Sequence, residues 1–92
     1  MPTYLVERYL PGRDRAWLEA ALVRLRGQSA KAEYLGSTYI PEDETCLCRF
    51  EAATADDVRD ANEIARMPFA RIVAAQEIGI RRPEPTEKGD RS

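Results

Sequence analysis

Ninety-two residues, of which 43% are hydrophobic and 33% charged, make one small domain, and a chain of this size buries only about 60–65% of its unfolded surface, so a second copy would help stabilise it. Its 16 acidic and 14 basic residues, net charge −2, are interspersed and disfavour charge-driven binding to nucleic acid or to an anionic membrane. The first apolar run is too short for a signal peptide or a membrane span, which sets the expectation of a cytoplasmic protein with no membrane or nucleic-acid partner.

Thr3 to Tyr9 alternates, with Tyr4, Val6 and Arg8 on one face and Leu5, Glu7 and Tyr9 on the other, as a strand would; Pro11-Gly12 stops it. From an N-cap at Asp14, Trp17, Leu18, Ala21, Leu22 and Leu25 recur at helical spacing, and Gly27 marks the C-terminal end. Trp17 and the spaced leucines read as core, and Arg13, Arg15, Arg24 and Arg26 as the solvated side of this helix. Glu33 to Ile40 and Thr45 to Ala52 form a hairpin about Pro41-Glu42-Asp43-Glu44. Thr54, with Asp57 three residues on, opens a second helix carrying Val58, Ala61, Ile64 and Ala65, which Pro68 ends at Met67. Phe69 to Ile80 reads as the last strand. Residues 81–92 hold no apolar anchor, so the domain is expected to occupy residues 1–80, followed by a Pro- and charge-rich tail that is either disordered or docked on a partner.

The order β-α-β-β-α-β specifies an α+β, ferredoxin-like fold: a four-stranded antiparallel sheet, strand order 4-1-3-2, with two helices on one face. Phase assigns Tyr4, Val6, Cys46, Cys48, Phe50, Ile72 and Ala74 to the helix-covered side. Cys46 and Cys48 point the same way, close no long loop and are expected to be reduced, buried small hydrophobes. The other side would carry Leu5, Glu7, Tyr9, Leu47, Arg49, Glu51, Val73, Ala75 and Glu77. The second strand, Glu33 to Ile40, cannot be phased, because one residue more or less in the hairpin loop exchanges Ser37 and Tyr39 with Thr38 and Ile40.

Two readings of the uncovered face remain open. Its charges are solvated cross-strand pairs, each contributing about 0.2–1 kcal/mol; or its apolar members Leu5, Leu47 and Val73 are buried by a second copy, which would close the carboxylates into a partly dry cleft. Ligand-binding candidates are Glu7, Tyr9, Tyr39, Arg49 and Glu77.

Tyr4-Leu5-Val6-Glu7-Arg8 followed by Pro11-Gly12, Ser37 before the hairpin, Thr45-Cys46-Leu47-Cys48-Arg49-Phe50-Glu51-Ala52, and Met67-Pro68 preceding Arg71-Ile72 together resemble a family of small bacterial proteins catalogued as a domain of unknown function. Residues 3 to 80 carry the likeness. It implies a ferredoxin-like fold that dimerises into an α/β barrel, and nickel binding, which is described for one member. Glu7 and Glu51 are the matched positions that become candidate metal ligands. The chain has no histidine, the usual nitrogen ligand for nickel and zinc, and oxygen ligands from Glu7, Glu51 and Glu77 suit magnesium, calcium or manganese better.

Other functions of this fold leave marks that are missing. The loop after the first strand reads Leu10-Pro11-Gly12-Arg13, without the Cys-x-x-Cys of a copper chaperone, and Glu44 to Glu51 holds no run of aromatic platforms for RNA. The expectation is a non-enzymatic homodimer that holds a divalent metal, nickel by resemblance, or a small polar ligand at the sheet face or dimer cleft. The alternative is a cofactor-free enzyme of the dimeric α/β-barrel kind, an isomerase or oxygenase, with a cleft carboxylate as base.

Overall fold

Val6, Cys46, Cys48 and Phe50 have no exposed surface, and they occupy alternate positions on two neighbouring strands, so one side of a sheet is core and the other is not. The computed structural model describes residues 1–27 and 31–79; the expected tail lies outside the described residues. Its elements are β1 (Thr3–Tyr9), α1 (Arg15–Arg26), β2 (Ala32–Ile40), a short 3-10 turn (Pro41–Asp43), β3 (Thr45–Ala52), α2 (Ala55–Ile64) and β4 (Arg71–Ala75). The sheet order is β2-β3-β1-β4, with every neighbouring pair antiparallel. This is the ferredoxin-like α+β arrangement, and the order 4-1-3-2 expected from the sequence.

The helices begin where their caps dictate. Asp14 accepts a 2.8 Å hydrogen bond from the Trp17 amide, and the Thr54 hydroxyl accepts one of 3.2 Å from the Asp57 amide, each satisfying a donor that a helix start leaves unpaired. Leu18, Ala21 and Leu25 of α1 and Val58 and Ala61 of α2 pack onto the covered face. Arg24 Nε reaches the Ala65 carbonyl at 3.4 Å and ties the two helices together.

Two ends differ from expectation. α2 stops at Ile64 rather than at Met67. Arg66 turns left-handed at φ 58°, its amide bonding the Glu63 carbonyl while the Met67 amide bonds that of Asn62; this Schellman pairing closes the helix before Pro68 can act. Of the expected Phe69 to Ile80, β4 covers only Arg71–Ala75, and Ile80 lies outside the described residues. It pairs with β1 from Glu7↔Arg71 to Thr3↔Ala75, and Thr3 is the first residue of β1, so the pairing of β4 ends where β1 begins. Among the described residues no helix is long and apolar enough to cross a membrane.

Candidate functional site

The second strand, which the sequence could not phase, organises the site. β2 pairs with β3 through Tyr34↔Phe50, then Gly36↔Arg49, Ser37↔Cys48 and Tyr39↔Cys46. Leu35 and Gly36 together oppose Arg49, which is a β-bulge. Across a bulge the alternation skips one residue, so Tyr34 and Ser37, three apart, both face the helices. Gly36 has φ 152°, a region that is nearly glycine's own. A Cβ there would lie 2.8 Å from Arg49 Nη2, so the Arg49 side chain lies across this glycine on the uncovered face.

The bulge delivers two hydroxyls to the cysteines. Ser37 Oγ donates to Cys48 Sγ at 2.9 Å, and the Tyr34 hydroxyl is hydrogen-bonded to Ser37 Oγ. Arg8, opposite Cys46 in the β1–β3 register, is only 1% exposed. Its Nε donates to Cys48 Sγ at 3.4 Å and its Nη1 to the Pro68 carbonyl at 3.1 Å, while Nη2 is buried with no partner. Cys46 Sγ lies 3.8 Å from Cys48 Sγ, and both thiols are free.

A buried guanidinium needs a compensating negative charge. Among the described residues no carboxylate is hydrogen-bonded to Arg8, and Cys48, which accepts from its Nε, is the group placed to supply the charge. Its pKa is lowered to about 6, first by the hydrogen bond from the Cys46 thiol and then, against the opposing effect of burial, by the Arg8 charge and the Ser37 hydroxyl. Cys46 shifts upward, because its proton is held by Cys48 and its own ionisation would place a second charge in the same buried space. Burial also raises Tyr34, and the hydrogen bond with Ser37 only partly offsets that rise. Arg8 Nε and Ser37 Oγ thus both donate to one sulfur, with Cys46 Sγ beside it, and donors of this kind favour the charged form of a thiol.

α1 does not close fully onto β2. A groove of about 640 Å³ runs between them, with Leu18 and Leu22 on the helix side, Ser37 and Tyr39 on the sheet side, and Asp14, Arg15, Glu19 and Pro41 around it. A smaller depression, which shares Glu19 and Leu22 and reaches Tyr34, continues it along the helix. The ionic residues are already committed, since Asp14 caps α1 and Arg15 pairs with Glu19 at 3.0 Å.

The residues singled out in the sequence are not brought together. Glu7, Tyr9, Arg49 and Glu51 share the uncovered face as expected, but Glu7 pairs with Arg71 at 2.8 Å. This bond lowers the Glu7 pKa and raises that of Arg71. Glu51 lies opposite Thr3, and Glu7 opposite Leu47, so the two glutamates stand four positions, about 13 Å, apart along the strands. One chain cannot bring both to one ion. Glu77 lies past β4 and is exposed. Tyr39 faces the helices, opposite Cys46, and lines the groove instead. Among the described residues no group of three or more His, Cys, Asp or Glu could hold a metal.

The sequence reading missed Arg8, Ser37 and the polar role of the cysteines. One signal was available: Arg8 falls in phase with Tyr4 and Val6 on the core-facing side, and a charge at such a position demands a partner.

No family model matches the chain, and no curated protein matches it. Among solved structures, it is similar to that of SCO4226 from Streptomyces coelicolor A3(2), with a TM-score of 0.71 and 15% identity over 84% of this chain and 99% of that one. At that identity the likeness extends to the fold.

Proposed function

We propose that the protein is a homodimeric binding protein whose ligand is a small molecule seated in the groove between α1 and β2. The groove supports this reading over a divalent metal on the sheet face, because it joins apolar walls to a hydroxyl at a depth suited to fixing one polar group. Leu18, Leu22 and Tyr39 would take the ligand's apolar body and Ser37 its polar head. Nickel, which the family resemblance brings forward, has a weaker case, since Glu7 is engaged by Arg71 and stands far from Glu51. A second copy is supported by the uncovered face, where Leu5, Leu47 and Val73 are half-buried beneath no helix; burying them would need an interface of at least about 1,200 Å² in total.

Native mass spectrometry reports stoichiometry and any retained ligand in one measurement, and amide shifts on adding small amphipathic molecules report the place. A dimer with shifts at Leu18, Leu22, Ser37 and Tyr39, lost in Leu22→Trp, is the expected result. Saturable nickel binding with shifts centred on Glu7 or Glu51 would instead remove the groove from consideration.

A further inference from the structure

We propose that Cys48 and Cys46 form a peroxide-reducing dithiol site, in which Cys48 attacks hydrogen peroxide and Cys46 resolves the product. This activity is distinct from ligand binding in the groove, and a ligand seated on Ser37 would obstruct the peroxide's approach. Its foundation is the convergence of Arg8 Nε, Ser37 Oγ and the Cys46 thiol on one sulfur. A guanidinium and a hydroxyl beside a thiolate meet both needs of the reaction: they hold the sulfur deprotonated, and they can donate hydrogen bonds to the peroxide oxygens as charge moves onto the leaving one. The unpartnered Arg8 Nη2 is a buried donor with nothing to bond, and a peroxide oxygen drawn in beside Cys48 would give it an acceptor. A structural cysteine pair needs neither the arginine nor the hydroxyl, because buried thiols pack as small hydrophobes without them.

The chemistry balances with peroxide as the only oxidant. The Cys48 thiolate attacks one peroxide oxygen; a sulfur–oxygen bond forms, the oxygen–oxygen bond breaks, and the departing hydroxide takes a proton and leaves as water. Sulfur loses two electrons and peroxide gains them. The Cys46 sulfur, giving up its proton, then attacks the Cys48 sulfenic acid; a sulfur–sulfur bond forms, the sulfur–oxygen bond breaks, and a second water leaves. Two thiols and one peroxide thus give one disulfide and two waters. Residues two apart on a strand have Cα atoms about 6.6–6.8 Å apart, at the upper end of the roughly 4.4–6.8 Å that disulfides span. The pair is therefore within bridging reach, and an external dithiol would reopen the bridge by exchange.

Access selects the oxidant. Cys48 has no exposed surface, and Ser37, which touches it, also lines the groove. A route from the groove past the Ser37 hydroxyl would favour a molecule little larger than water over a bulkier alkylating agent.

The test uses the full chain, with hydrogen peroxide and iodoacetamide as probes and intact mass as the readout. Near-stoichiometric peroxide should remove two hydrogen atoms from the folded protein by joining Cys46 to Cys48, while iodoacetamide labels slowly until denaturant is added. Cys46→Ser should accumulate a Cys48 sulfenic acid, read as one added oxygen in the intact mass and trapped by dimedone once denaturant is added, and Cys48→Ser should be inert. Ser37→Ala and Arg8→Lys, each verified as folded by circular dichroism, should slow the first step on the order of tenfold, the loss of one hydrogen bond to a charged sulfur. Oxidation of folded wild type no faster than that of free cysteine overturns the proposal. So does equal oxidation of Cys48→Ser, or a disulfide between chains in place of the Cys46–Cys48 bridge.

Discussion

The two faces of the sheet carry charge in opposite ways. On the uncovered face Glu7 and Arg71 sit side by side in solvent, where each is stable alone and the pair adds little. On the covered face a single arginine is sealed in with two cysteines and two hydroxyls, where a charge cannot exist without a counterpart. Numerous charges in water therefore mean less than one charge in the core. The candidate chemistry moves accordingly from the carboxylates to Cys48.

The largest expected effect breaks the covered-face pairing from either side. Cys46→Ala combined with Cys48→Ala leaves Arg8 buried with no anion, and since a guanidinium cannot shed its proton the variant should lose about 3–5 kcal/mol in urea unfolding. Arg8→Met should cost less, because the remaining thiolate simply takes up a proton. Adding Arg8→Met to the double alanine variant should recover stability rather than lose more. A further loss in that triple variant would show that Arg8 acts through packing alone, and the contrast between the faces would disappear.

A pH series sharpens the same point with no mutation in the core charge. The Cys48 pKa, about 6 in the folded chain, lies below the roughly 8.5 of an unfolded thiol. The unfolded state thus holds more protons between these values, and stability should rise with pH from about 6 toward 8.5 and be lost as pH falls back through 6. Cys46 has the opposite sign: its thiol resists ionisation in the fold, so above about 8.5 the unfolded chain releases protons that the folded chain keeps, and stability falls again. The charged or titratable groups facing Cys48 are Arg8 from β1, Cys46 from its own strand and Tyr34 through Ser37 from β2. The denaturation midpoint should climb between pH 6 and 8 in wild type (roughly the window between the two thiol pKa values) and stay level in Cys48→Ser.

Gly36→Ala tests the element on which both faces depend. The positive φ at Gly36 and the Arg49 guanidinium against it predict a loss of about 1–3 kcal/mol for the strained backbone. The bulge also places Ser37 opposite Cys48, so this variant should expose Cys48 to iodoacetamide faster than an equally destabilising core truncation elsewhere. Equal labelling would mean that the bulge does not position the hydroxyl.

Strands, caps and sheet order were legible because each rests on local rules: alternation in Thr3–Tyr9, side-chain acceptors at Asp14 and Thr54, a hairpin about Pro41. The face of β2 was not, since a bulge at Leu35 and Gly36 reverses the phase by one residue without changing composition. Nor was the site. Arg8 stood on the correct face, but its meaning depends on Cys48, forty residues away, and on Ser37, which only strand pairing brings to the same sulfur.

The smallest expected effect is on the uncovered face. Glu7→Gln removes the carboxylate from the Arg71 pair, both members of which are in contact with solvent; water takes over the lost interaction, and the urea midpoint at neutral pH should not move measurably. Acid should make the two proteins more alike still, because protonated Glu7 and glutamine are both neutral. The Glu7 pKa is lowered by Arg71, so its share of stability is present above the ordinary carboxylate range and is lost as pH falls through the lowered value; the glutamine variant lacks that dependence. Calorimetry with nickel, zinc, manganese and calcium should give the same trace for wild type and Glu7→Gln, because within one chain Glu7 has Arg71 rather than a second carboxylate beside it. A cation signal present in wild type and lost in the variant would return the chemistry to this face, with the second carboxylate then coming from a partner copy across it.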